Sequence, residues 1–87
     1  MTSIFVCYKD GMVVNVNLTE AECEFHKNQM VRKDASRNLL VAAGIPLSVA
    51  ESEYLQPVLL INFGISQEDV DAEVLNITNY TDAEVLI

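Results

Sequence analysis

The chain has 87 residues, enough for one domain with little room for a second. Apolar residues make up 51% and charged residues 21%, a balance that excludes an intrinsically disordered chain. The net charge is −8, from 13 acids against 5 Lys and Arg, which argues against direct binding to nucleic acid.

Chains of this size bury only about 60–65% of their unfolded surface. With so much apolar content, some apolar surface is left outside, which favours a homo-oligomer or a permanent partner. The longest apolar runs, 4–8 and 39–43, are five residues each, far short of the roughly 18 that a membrane helix needs. No secretory signal pattern opens the sequence, so a cytoplasmic protein without membrane contact is expected. Cys7 and Cys23 then read as reduced, buried thiols. The sequons at Asn17, Asn76 and Asn79 read as turn and capping residues.

Residues 3–8 are β-branched and aromatic, and residues 12–18 alternate in their second half. Asp10-Gly11 between them predicts an antiparallel hairpin. Ile4, Val6 and Tyr8 share one face, and Phe5 and Cys7 the other; Val14, Val16 and Leu18 oppose Asn15 and Asn17. An isolated hairpin is marginal, so its apolar face must pack on helices or on a second copy.

Thr19-Glu20-Ala21-Glu22 has the form of a capping box and predicts a helix from about Glu20 to Ala43, stopped by Gly44 and Pro46. Phe25, Val31, Ala35, Leu39 and Ala42 form its better apolar stripe, while the row Cys23, Lys27, Met30, Asp34 and Asn38 is only partly apolar. Asp34–Ser36 offers a break point, with Ser36 as the cap of a second helix. Ser48-Val49-Ala50-Glu51 predicts another helix start, with a kink or break at Pro57. Val58–Ile61 fits either helix or a short buried strand. The helix-stop and new-cap pattern of Gly64-Ile65-Ser66 favours helix. Ser66 then caps a helix to about Leu75, residues 76–80 form a loop, and Thr81-Asp82-Ala83-Glu84 reads as a last weak cap. The apolar end Val85-Leu86-Ile87 is expected to dock. The expected fold is α+β: an N-terminal hairpin followed by three or four helices, in the order ββααα, as a dimer.

Charge is distributed unevenly along the chain. Residues 1–37 hold all five basic residues and five acids, whereas 38–87 hold eight acids and no Lys or Arg. The whole −8 thus arises from the last fifty residues. An acidic half of this kind suits docking on a basic protein surface, such as one that binds nucleic acid. The candidate contact residues are Glu51, Glu53, Glu68, Asp69, Asp71 and Glu73. The plainer reading is a solvated acidic surface that keeps an apolar chain soluble.

Other chemistries find little support. Residues 39–48 have the small-residue and Gly turn of a helix-turn-helix, but the would-be reading helix carries only acids. Cys23 and His26 stand at a ligand spacing without a second pair, so no metal is expected. Asp69, Asp71 and Glu73 alternate as in a calcium loop, but the sixth position is Val74 where Gly is required. His26 is the one His and its nearest thiol in sequence is Cys23; no oxyanion donor is suggested, so no enzyme and no catalytic residue are expected. Three isolated glycines make no phosphate loop, and no Asp-Ser pair opens a helix to carry a prosthetic group, so no cofactor is expected.

In composition the chain resembles small accessory proteins of viruses and mobile elements, a likeness that assigns no residue a role. Two functions follow from the residues. One is a non-enzymatic binding module whose acidic half docks a basic partner as inhibitor or adaptor. The other is an assembly subunit, with self-association through the hairpin, residues 58–63 and the apolar C-terminus. A metal-responsive regulator through Cys23 and His26 is a minor third.

Overall fold

The computed structural model describes all of residues 1–87. The elements are β1 (Ser3–Lys9), β2 (Met12–Asn17), α1 (Glu20–Ala42), α2 (Leu47–Ala50), α3 (Gln56–Asn62), α4 (Gln67–Val74) and β3 (Tyr80–Leu86). The fold is α+β, with the hairpin first and four helices. They group into two compact units, Met1–Met30 with Thr78–Ile87, and Val31–Ile77, and α1 contributes to both.

In the first unit the sheet has the antiparallel order β2-β1-β3. The turn at Asp10-Gly11 has positive φ at both residues, 53° and 79°, the geometry that Asp-Gly favours between twisted strands. β3 corrects the expected ββααα order. Residues 81–84 do not cap a helix; they pair with β1 from Ser3↔Leu86 to Lys9↔Tyr80. Thr81, Ala83 and Val85 alternate with Asp82, Glu84 and Leu86, which is the period of a strand. The expected docking of the C-terminus is thus strand addition, extended by the Thr2 and Ile87 backbones, which exchange hydrogen bonds of 3.0 and 2.8 Å.

The register decides which sheet face is covered. Cys7 lies opposite Asn15 on one side and Asp82 on the other, so these share a face with Phe5, Asn17 and Glu84. The first half of α1 lies on that face. Cys7 and Cys23 are fully or almost fully buried, and Asn17 is 7% exposed. Asn17 donates to Asn15 Oδ1, and Lys27 Nζ donates to Asp82 Oδ2 at 2.7 Å. The hairpin's predicted apolar face is therefore the one that α1 leaves uncovered: Val16 is 55% exposed. In the first half of α1 Phe25 is likewise exposed while Cys23 and Lys27 turn inward; farther along the predicted stripe Val31 and Ala35 are buried as expected. The reason is mutual: a helix row carrying Lys27 finds its partners on a strand face carrying Asp82 and Asn17.

In the second unit α1 continues unbroken through Asp34–Ser36, with Val31, Ala35 and Leu40 buried. Ser48 makes no cap, because α2 starts at Leu47 behind Pro46. Residues 58–62 are helical, and the break precedes Pro57, which stands in the first turn of α3 where its missing N–H costs nothing. The buried Gln56 amide holds the break in place, donating to Ala50 O at 2.8 Å and to Lys33 O at 3.2 Å. Gly64 ends α3 with φ 66°, and Ser66 opens α4 with the predicted capping box, exchanging hydrogen bonds with Asp69.

Candidate functional site

All six predicted contact residues lie in the helical unit. Glu51 and Glu53 fall in the connection from α2 to α3, and Glu68, Asp69, Asp71 and Glu73 on α4. Adjacent residues of α1 hold one acid from each group. Arg32 Nη1 lies 2.6 Å from Asp71 Oδ1, and Lys33 Nζ lies 3.0 Å from Glu53 Oε1. Arg32 also donates to Gln67 Oε1 at 3.1 Å. Asp71 and Glu53 are thus committed to contacts within the fold. Asp69 is committed to the α4 cap, and the Ser66 backbone N–H on its carboxylate holds its pKa below the ordinary value. Glu51 and Glu68 stand exposed, and Glu73 is half-buried.

The charge asymmetry seen along the sequence is not an asymmetry between the structural units. The helical unit has seven acids against Arg32, Lys33 and Arg37, a net of −4; the sheet unit has six acids against Lys9 and Lys27, also −4. Four of the five cations are held in ion pairs inside their own unit: Lys27 with Glu24 and Asp82, Arg32 with Asp71, Lys33 with Glu53, and Arg37 with Asp34. Lys9 sits over the Tyr80 ring, 5.5 Å from its centroid.

Two of the six acids meet at a groove that the sequence did not reveal. It has a volume of about 340 Å³ and is lined by residues of α1 and α4 together with Ile65. Leu39, Ala43, Ile65 and Ala72 make its walls apolar; Asp69, Glu73 and Asn76 bring polar groups to it. Asp69 and Glu73 stand four apart on α4 and so share a side of the helix. Asn76 Nδ2 approaches Glu73 Oε1 at 3.4 Å. An apolar trough with carboxylates beside it matches the two-part chemistry of a Lys or Arg side chain, an aliphatic stem with a cationic head. The signal present in the sequence was the i, i+4 pair of acids; the trough needed Leu39 and Ala43 of α1 to come beside Ile65 and Ala72.

The other candidate residues come together less. His26 stacks edge-on against Phe25, with ring centroids 5.5 Å apart. No three His, Cys, Asp or Glu side chains converge as a metal ligand set. Both cysteines are free thiols, and burial raises the Cys7 pKa to about 11 and pushes Cys23 up as well, with Asp82 adding to both. No helix is long and apolar enough to cross a membrane. In comparison with known proteins, no family model matches the chain, and neither a curated protein nor a solved structure is similar to it.

Proposed function

We propose that the protein is a non-enzymatic binding module that docks a basic protein surface through its helical unit. The observation that carries this reading is the groove between α1 and α4, where Asp69 and Glu73 flank an apolar trough. A Lys or Arg side chain of the partner lays its stem along Leu39, Ala43 and Ala72 and meets with its head the Glu73 carboxylate and the Asp69 oxygen that does not accept from Ser66. Exposed Glu51 and Glu68 add long-range attraction, which speeds encounter and weakens with salt. A surface that ordinarily holds nucleic acid offers such side chains in number. Carboxylates then stand where phosphates would, and the module acts as inhibitor or adaptor.

A titration with a Lys- and Arg-rich peptide, followed by amide chemical shifts, tests this. The expected shifts cluster at Leu39, Ala43, Ile65 and Glu73 and fade as salt rises. Glu73→Lys should weaken binding at least about tenfold, the usual scale for reversing a charge at a contact. Shifts spread evenly over the whole chain, or binding that ignores both salt and Glu73→Lys, would rule the groove out.

A further inference from the structure

We infer that the open face of the three-stranded sheet is a dimer interface, occupied by the same face of a second copy of this chain. The face follows from the register. Val6 pairs with Val16 and with Ala83, Tyr8 with Val13, and Ile4 with Val85, so these side chains project away from the side that α1 covers. Val6, at its centre, is only 4% exposed, but Val13 and Val16 on the edge strand are 58% and 55% exposed. Val14, the extra residue of the bulge between the Cys7 and Tyr8 pairs, is also exposed on β2, whereas Met12 stands opposite Lys9 and belongs to the other face.

Charge identifies the occupant. Among the residues of this face only the Tyr8 hydroxyl is ionisable, in a unit with a net charge of −4. Asp82 and Glu84 project from the opposite face, and Glu20, Glu22 and Glu24 belong to the helix lying on that opposite face. Only Asp10, in the hairpin turn, is placed otherwise. A basic partner would find no counter-charge on this surface. A second copy finds a face equally neutral and equally twisted, which suits aligned sheet-on-sheet packing. Stacked sheets lie about 10 Å apart, so the carboxylates of the two copies end on opposite outer sides, separated by more than a Debye length of about 8 Å at physiological salt. Like charge between the sheet units therefore costs little in this arrangement.

Size sets the strength. Three strands of six or seven residues at about 3.3 Å per residue and about 4.8 Å spacing cover roughly 23 by 14 Å. That footprint is well below a standard interface of about 800 Å² per partner, so a weak, reversible dimer is expected. The inference stands apart from the acidic groove, which lies wholly in the helical unit.

Sedimentation equilibrium of the full chain, from about 1 µM to about 1 mM, gives the test. The wild-type chain should pass from monomer to dimer across this range. Val16→Lys and Ala83→Lys, both at exposed positions, should each raise the dissociation constant at least about tenfold, although they reduce the net negative charge and so relieve repulsion. Gln29→Lys, on the exposed side of α1, should leave it close to the wild-type value. In a mixed labelled and unlabelled wild-type sample, intermolecular NOEs should place the Val16 and Ala83 methyls against the other copy, a readout independent of any variant. A chain that stays monomeric throughout overturns the inference. So does a dimer that both lysine variants leave intact, or one without those NOEs.

Discussion

Lys27 Nζ lies 2.7 Å from Asp82 Oδ2, fastening the first half of α1 to β3 across 55 residues of chain. Glu24 Oε2 approaches the same ammonium at 3.2 Å. The Lys27 and Asp82 side chains are 23% and 32% exposed, so their attraction is less screened than that of a surface pair. Asp82→Ala strands a half-buried ammonium and should lower stability by about 1–2 kcal/mol in urea denaturation. The hydrogen bond to Asp82 raises the Lys27 pKa. That contribution is therefore complete below the unfolded value near 10.4 and is lost as pH rises through the folded one.

Arg32 provides the contrast. Its side chain is 40% exposed and that of Asp71 61%, although their separation is only 2.6 Å. Surface pairs of this kind contribute about 0–1 kcal/mol. Arg32→Ala should shift the urea midpoint much less than Asp82→Ala, and the difference should shrink further in high salt. An equal loss from the two variants would contradict the burial argument.

Burial raises the Cys7 pKa from its ordinary 9.0 to about 11, with the Asp82 carboxylate adding to the effect. Because the folded value is the higher one, this contribution is fully present below pH 9 and is lost as pH climbs towards 11. Its full size is at most about 2–3 kcal/mol. Thermal melts from pH 8 to 11 should show a steep decline, shallower in Cys7→Ala. Alkylation by iodoacetamide at pH 8 should be slow in the native chain and fast once it is unfolded.

Gln56 is the polar residue on which the α2–α3 break depends. Its amide serves two backbone carbonyls, Ala50 O and Lys33 O, and no buried side-chain polar atom in the chain lacks a partner. Gln56→Ala removes the donor to both and should cost about 2 kcal/mol. Gln56→Leu, nearly the same volume, should cost a similar amount. If the leucine variant matched the wild type in stability, packing rather than hydrogen bonding would be what holds the break.

Several elements were legible in the sequence because their causes are local. Asp10-Gly11 supplies the two positive-φ residues of a hairpin turn, Gly44 and Gly64 stop helices, and Ser66 with Asp69 caps α4; each signal lies within about one helical turn of what it controls. The segment 80–86 was not legible in that way. Thr81-Asp82-Ala83-Glu84 satisfies the spacing of a capping box and the alternation of a strand alike, and only the free edge of β1 selects the strand. The same is true of the face that α1 covers. Phe25 marks an apolar stripe on the helix and Val16 an apolar face on the hairpin, yet the chain joins Cys23 and Lys27 to Cys7, Asn17 and Asp82. Composition set the net charge of −8, and residue order crowded it into the last fifty residues. The fold shared it as −4 and −4, because β3 carries Asp82 and Glu84 back beside β1 while Arg32, Lys33 and Arg37 belong to the helical unit. Turns and caps obey neighbours a few residues away; strand pairing, covered faces and ion pairs join residues tens of positions apart, and tertiary packing decides them.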